Sequence, residues 1–304
     1  MVNEIKILVT GSSGMLGKDI VEILSNNINC SVYGFSRTVN SLFSNDHQVI
    51  GDLTNLEFLS SSLCKINPDV IVHCAAIVNV DECETNKRVA EMLHCDVTKI
   101  LSRYKSGSTR FIYISTDSVF DGQKGNYTEE EIANPINYYA KTKRDGEIIV
   151  LANNSNAVVI RVNIYGFHLE SGKSLVEWAI DNLKHDKSIN GFTDVYFNPV
   201  YTKQLGEIVK DIILSKYFKG ILNVASKEYC SKYEFLLHIA KQFNFNNSLI
   251  KKKSVKKFKF LAQRPVNTTL NTNLLKRVFD KVLTLQDGLS KLRRDYENYE
   301  RDKR

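Results

Sequence analysis

The chain lacks the features that would set it apart from ordinary globular proteins. Of its 304 residues only 4 are proline and 15 glycine, far from a collagen repeat or a Pro-rich linker. Hydrophobic residues make up 43% and charged residues 25%, which excludes wholesale disorder and a long coiled coil. No apolar run reaches the roughly 18 to 20 residues of a membrane span. The start, Met1-Val-Asn-Glu-Ile-Lys-Ile-Leu-Val-Thr10, has neither the charged opening nor the long apolar stretch of a secretory signal. The six cysteines (Cys30, Cys64, Cys74, Cys83, Cys95, Cys230) form no CxxC pair. Reduced, mostly packing thiols are therefore expected, with no metal site and no disulfide framework. Internal repeats and low-complexity linkers are absent too. These absences predict a soluble cytoplasmic protein with no membrane partner.

What is present is an alternation of two periodicities. Short β-branched runs at residues 5–9, 31–35, 49–53, 69–74, 110–115 and 157–162 are separated by amphipathic stretches at 15–26, 84–104 and 138–152. The later runs are apolar on consecutive positions, as strands buried on both faces are. Strand–helix alternation of this kind predicts an α/β fold, a Rossmann-type doubly wound parallel sheet. The length suggests about two domains or one large unit. After Gly166 the alternation lapses, with helices expected at 175–184, 203–215 and 232–244, the last capped by Ser231. Residues 1–166 are expected to form the dinucleotide-binding domain and 167–304 a smaller substrate-binding lobe, with elements near 195–224 returning to the first. The tail from Arg293 to Arg304 is expected to be an exposed helix.

Lys and Arg exceed Asp and Glu by 41 to 34, a net charge of +7. That excess suits an anionic small ligand as well as nucleic acid. The densest run, Lys251-Lys-Lys-Ser-Val-Lys-Lys-Phe-Lys259, reads as a solvated basic edge, since no nucleic-acid module accompanies it.

Chemistry gathers at the ends of the predicted strands. Gly11-Ser12-Ser13-Gly14-Met15-Leu16-Gly17 lies between the first strand and the first helix. Glycines there permit a tight bend and close backbone approach to a pyrophosphate, and the helix N-terminus adds N–H donors. Ser36 and Arg37 close the second strand about 20 residues later, where an adenosine ribose belongs. No carboxylate follows until Asp46, so the site favours NADPH, through Arg37 on a 2′-phosphate, with NADH as the alternative. Asp52 and Leu53 at the third strand's end are expected at the adenine edge, and Ala75 and Ala76 at the fourth are small enough for close approach. Tyr139 and Lys143 are spaced i, i+4 on one helix face, and a cation there is expected to lower the phenol pKa. Thr116 sits where the fifth strand runs out at the carboxyl edge of the sheet.

The TGxxGxxG start, Ser115-Thr-Asp-Ser-Val-Phe-Asp-Gly122, the Tyr139-x-x-x-Lys143 helix, Arg161-Val-Asn-Ile-Tyr-Gly166, Ser231-Lys-Tyr-Glu-Phe235 and Arg264-Pro-Val-Asn-Thr-Thr-Leu270 span nearly the whole chain. In these the sequence resembles the extended short-chain dehydrogenases/reductases, and specifically the dTDP-4-dehydrorhamnose reductase family. The resemblance implies NADPH-dependent reduction of a nucleotide-linked 4-dehydro-6-deoxy sugar, for deoxysugar and cell-surface polysaccharide precursors. It implies Tyr139 as proton donor, Lys143 as its partner and a ribose ligand, and Thr116 as orienter of the carbonyl. Asp117 is implied at the sugar, Asn163 near the nicotinamide, and Arg264 and Asn267 in the sugar-nucleotide pocket. The sequence departs from its relatives at His94, where many carry asparagine; a packed histidine is the simpler reading there, as at His73, His168, His185 and His238. Two rivals stand beside the reductase. One is a non-catalytic NADP-binding subunit like the regulatory subunit of methionine adenosyltransferase, the other a sugar-nucleotide epimerase or dehydratase. A homodimer is compatible with any of them.

Overall fold

The computed structural model describes residues 4–26, 30–41, 43–168, 174–215 and 217–302, so the last two residues of the predicted tail lie outside it. Strands β1 (Ile5–Thr10), β2 (Cys30–Ser36), β3 (Gln48–Ile50), β4 (Val70–His73), β5 (Arg110–Ile114) and β6 (Val158–Val162) form at the β-branched runs. Each is followed by a turn and, in most cases, a helix: α1 (Met15–Ser25), α2 (Leu56–Ile66), α3 (Val80–Thr85), α4 (Lys87–Glu91), α5 (Thr98–Arg103) and α6 (Tyr138–Asn153). All pairings in the main sheet are parallel, in the order β3-β2-β1-β4-β5-β6, with a seventh strand, Gly220–Val224, beyond β6. The order reverses between β1 and β4, and open α/β sheets bind ligands at such a crevice.

Alternate residues of each strand feed opposite faces of this sheet. Ile7, Val9, Val72, Ile112 and Ile160 pack on one side with α1 and a helix at Thr202–Ser215. Leu8, Ile71, Phe111, Tyr113 and Val159 pack on the other with Leu59, Leu63, Leu101 and Val150. Helices and buried apolar side chains cover both faces, which makes this a doubly wound Rossmann-type fold. A separate core joins Ile180, Phe197, Phe235, Leu236, Ile239 and Leu289 in the C-terminal half. Its helix Lys232–Phe243 is held by a capping box between Ser231 and Glu234. A final helix, Leu285–Asp302, packs its apolar stripe on the same core.

Strand ends fall earlier than the apolar runs imply. β3 stops at Ile50 because its partner β2 stops at Ser36, to which Ile50 is registered. β4 stops at His73, registered to Thr10 at the end of β1. Asp52, Leu53, Ala75 and Ala76 therefore lie in the connecting turns beyond the sheet edge. The expected single helix over 84–104 is also interrupted. It breaks at Asn86 and widens into a π-helical turn at Met92–Val97. Among the described residues, no helix is long and apolar enough to cross a membrane.

Candidate active site

Thr116 leaves β5 with extended backbone and caps the 3₁₀ turn Asp117–Val119, its hydroxyl oxygen accepting the Ser118 N–H at 3.2 Å. Asn137 caps α6 by accepting the Ala140 N–H at 2.9 Å, which fixes Tyr139 in the first helical turn. There the Tyr139 phenol shares a hydrogen bond with Thr116. One turn on, the buried Lys143 Nζ donates to the Ile114 carbonyl at 2.7 Å and lies 4.1 Å from the centre of the Tyr113 ring. Three residues from two segments are thus gathered at the carboxyl edge of the sheet.

The electrostatics correct one expectation. Burial raises the Tyr139 phenol pKa, the Thr116 hydrogen bond opposes this, and the Asp117 and Cys83 charges add to it. The ammonium does not offset the rise, because it is directed to the Ile114 carbonyl and the Tyr113 ring. Lys143 itself is pulled down to about 8 by burial, against the nearby Glu147 charge. Tyr139 is therefore a neutral phenol near pH 7, holding its proton.

Asp117 lies deeper than the resemblance implied. It is 1% exposed, and its carboxylate accepts from Thr268 Oγ1, from Asn163 Nδ2 at 3.0 Å and from Thr116 Oγ1 at 3.2 Å. Burial raises its pKa; those hydrogen bonds and the Lys232 charge resist the rise. Asp117 and Asn163 are thus engaged with each other beneath Thr116. Thr268 and Lys232 were missed in the sequence because their approach to Asp117 is purely tertiary.

The glycine turn is built around close approaches. Gly11 has φ +68° and donates its N–H to the Phe35 carbonyl at 2.8 Å. A Cβ on Gly11 would stand 2.8 Å from the Ala75 nitrogen, and one on Gly17 would stand 2.1 Å from the Gly11 carbonyl oxygen. Gly14 caps α1 with no side-chain hydrogen bond, so the N–H groups of Met15, Leu16 and Gly17 open the helix without intrahelical acceptors. Beside the turn, Ser36 Oγ donates to the Thr38 carbonyl at 2.6 Å and Thr38 Oγ1 donates to Ser13 Oγ at 3.1 Å. Arg37 is exposed at the end of β2. It lies near Asp52, whose carboxyl is held below its ordinary value first by the Thr54 hydrogen bonds and only last by Arg37. Leu53 is 6% exposed and packs with Phe35 and Leu59, its side chain committed to the core.

His94 proves to be a structural acceptor. Its Nε2 accepts the Ile77 N–H at 3.0 Å, which leaves Nδ1–H to donate to Thr142 Oγ1 at 2.8 Å. Burial pushes its pKa down to about 2, and its ring meets Tyr139 edge-on at 5.9 Å. The π-helical turn is what brings this ring to both partners. His73 is similar: Nδ1 meets Thr10 Oγ1 at 2.6 Å, Nε2 is buried without a partner, and burial lowers the pKa to about 3.

Arg264, expected on a phosphate, pairs with Asp81 at 3.0 Å, and Asp81 also accepts the Ala262 N–H at 2.9 Å. Asn137 Nδ2 donates to the Gln263 carbonyl at 2.9 Å, so residues 262–264 are tied to the rim of the Tyr139 helix. Asn267 faces away from Thr268, as neighbours in an extended segment do. It lines a cleft of about 670 Å³ with Asn126, Tyr196, Tyr229 and Asn271, and neither Thr116 nor Tyr139 lines that cleft. Among the described residues, no group of three or more His, Cys, Asp or Glu could hold a metal ion, and all six cysteines are free. Lys251, Lys252 and Lys253 are exposed on a strand paired parallel with Ile189–Phe192.

The model of the RmlD substrate binding domain family matches residues 5–297. The chain is 33% identical to methionine adenosyltransferase 2 subunit beta of Bos taurus over 285 residues, which is 89% of this chain and 81% of that protein. A dTDP-4-dehydrorhamnose reductase of Clostridium acetobutylicum superposes with a TM-score of 0.84 at 27% identity, covering 95% of this chain and 98% of that one. One from Bacillus anthracis, solved in complex with NADP, gives 0.83 at 25% identity with the same coverage.

Proposed function

The chain belongs to the RmlD substrate binding domain family, and from that premise we propose that it is an NADPH-dependent reductase of a nucleotide-linked 4-dehydro-6-deoxy sugar, with NADH as a poorer cofactor. The observation that carries this reading is the convergence of Thr116, Tyr139 and Lys143 at the sheet edge beside the glycine turn. Relatives named as dTDP-4-dehydrorhamnose reductases, one of them bound to NADP, support the substrate class and the cofactor.

The residues present fit the cofactor. A pyrophosphate would be received by the N–H groups of Met15, Leu16 and Gly17, in a turn whose close packing on Ala75 and on itself requires glycine at 11 and 17. Ser36 and Arg37 at the end of β2 would flank the adenosine ribose, and β2 itself ends in no Asp or Glu that would repel a 2′-phosphate. Lys143 would hold the ribose hydroxyls of the nicotinamide half. When bound, the nicotinamide supplies the hydride. Tyr139, which burial keeps protonated near pH 7, would give its proton to the substrate oxygen as charge develops there. Thr116 donates to the same oxygen and holds the carbonyl in place.

The test is oxidation of NADPH by the purified protein with a dTDP-linked 4-dehydro-6-deoxy sugar, with the product identified by NMR. Turnover with reduction at C4 is expected. One observation favours a second reading: the 33% identity to methionine adenosyltransferase 2 subunit beta over most of the chain. Tight NADP binding, no turnover, and a partner retained on pull-down would establish that non-catalytic role instead.

A further inference from the structure

Beyond Tyr139 and Lys143, α6 carries a third residue on the same face. Glu147 follows Lys143 by one turn, so the three stand at i, i+4 and i+8. It is 3% exposed. Its Oε1 accepts from Ser115 Oγ at 2.5 Å and from Arg161 Nε at 3.1 Å, and its Oε2 accepts from Arg161 Nη2 at 2.8 Å. Ser115 immediately precedes Thr116. Arg161 lies on β6, two residues before Asn163, with its guanidinium 5.0 Å from the centre of the Phe120 ring. One carboxylate thus joins the helix of Tyr139 and Lys143 to the strand end of Thr116 and to the strand that leads to Asn163.

We propose that Glu147 is a positioning residue: through Ser115 and Arg161 it fixes α6, β5 and β6 in one register so that Thr116, Tyr139 and Lys143 converge, and it places a fixed negative charge behind the Lys143 ammonium. Only a carboxylate can accept from all the donors gathered there. A glutamine would turn its NH₂ toward one of them and leave the guanidinium buried without a counter-charge. Stability alone is a poor reason for the arrangement, since a well-packed apolar pair of similar volume commonly serves as well or better.

The other groups around Lys143 leave the charge role to Glu147. His73 from β4, and His94 from the π-helical turn, are held neutral by burial. Cys74 after β4 is pushed up to about 12 and Cys95 of the π-helical turn to about 11, again by burial. Tyr113 on β5 and Tyr139 on α6 are likewise raised by burial and stay protonated near pH 7. Glu147, ion-paired with Arg161 at 2.8 Å, is the anion in that shell.

The consequence for turnover rests on the reductase reading; the charge coupling does not, and it is measured in the free protein. The Lys143 ammonium is followed by NMR of ε-¹³C-lysine-labelled protein, its signal assigned by loss in Lys143→Arg. Glu147→Gln/Arg161→Met removes the pair without stranding the guanidinium. In this double variant Lys143 is expected to titrate about one pH unit lower. Its kcat should fall at least about tenfold, with the sugar-nucleotide KM little changed, because the loss is in transition-state alignment. Arg161→Lys keeps the charge but loses the fork, so kcat should fall while the Lys143 titration stays near that of wild type. If the double variant changes only the melting temperature, the proposal is overturned. If the double variant does not fold, Arg161→Lys decides the register role: unchanged kcat there refutes it. A wild-type protein without turnover, in which Lys143 still shifts on losing Glu147, refutes the reductase reading and leaves the charge coupling standing.

Discussion

Tyr139 holds its proton because its phenol is buried, with the hydrogen bond it shares with Thr116 as the counterweight. In the proposed reaction its chemistry is confined to the developing alkoxide, so Tyr139→Phe should cut kcat by at least about 100-fold and leave NADPH affinity nearly unchanged. Fluorescence titration of NADPH beside steady-state rates checks both halves; a variant keeping most of its kcat would remove Tyr139 from the mechanism. Arg37 is the second residue open to a direct test. It is exposed at the end of β2, and a guanidinium on a 2′-phosphate makes charge-assisted bonds. Arg37→Ala should therefore cost roughly 1.5 to 3 kcal/mol in kcat/KM with NADPH and little with NADH. Equal losses with both cofactors would show that Arg37 does not read the 2′-phosphate. These residues were legible because each belongs to a local pattern: a phenol and an amine one turn apart, an arginine where an acid would otherwise stand. Glu147 continues that spacing by one more turn, yet nothing in the sequence says that Ser115 and Arg161 will meet it. His94 looked like a departure from its relatives, and only the tertiary contacts with Ile77 and Thr142 reveal what it does.

Elements are set by partners as much as by their own residues. The β-branched runs identified the strands, but β3 and β4 end where β2 and β1 end, so the residues after them became turns. The stretch 84–104 is interrupted at Asn86 and at the π-helical turn Met92–Val97, neither of which its local periodicity encodes. The glycine turn, by contrast, was legible, because each close approach there demands a specific residue type. Gly17 offers a clean test, since it sits inside α1 away from the left-handed region. Elsewhere in a helix, Gly→Ala stabilises by about 1 kcal/mol through propensity. Here the new methyl would meet the Gly11 carbonyl oxygen at 2.1 Å, a backbone atom that cannot swing aside. Gly17→Ala should therefore reverse the usual sign, destabilising by roughly 1 to 3 kcal/mol and weakening NADP binding. Urea denaturation and a cofactor titration report the two effects, and a variant more stable than wild type would mean that the turn relaxes freely.

At the scale of the whole molecule, the late segment 262–270 reaches back across the sheet edge. Ala262 to Asp81, Gln263 to Asn137 and Thr268 to Asp117 are hydrogen bonds spanning 181, 126 and 151 residues. Such separations are why the Arg264-to-Leu270 motif could be noticed in the sequence but not placed. The same interior sets how the protein answers acid. His73 and His94 are both buried at the core of the site, with pKa values lowered to about 3 and about 2. In the unfolded chain each returns to roughly 6.5. Below that pH the unfolded state binds protons that the folded state refuses, so stability falls with acidification by up to about 1.4 kcal/mol per pH unit for each histidine. Asp19 and Asp117, whose pKa values burial raises, take up protons in the folded state first and oppose that loss. The net curve therefore mixes signs, and a difference measurement isolates one group. His94→Gln keeps an acceptor for the Ile77 N–H and a donor for Thr142 but carries no titrating ring. Urea unfolding of wild type and variant at pH values from about 7 down to about 4 should show the variant losing stability less steeply, by roughly 1.4 kcal/mol per pH unit below about 6. Parallel curves would mean that His94 takes a proton in the folded state as readily as in the unfolded one, and that the ring is not the neutral acceptor its contacts describe.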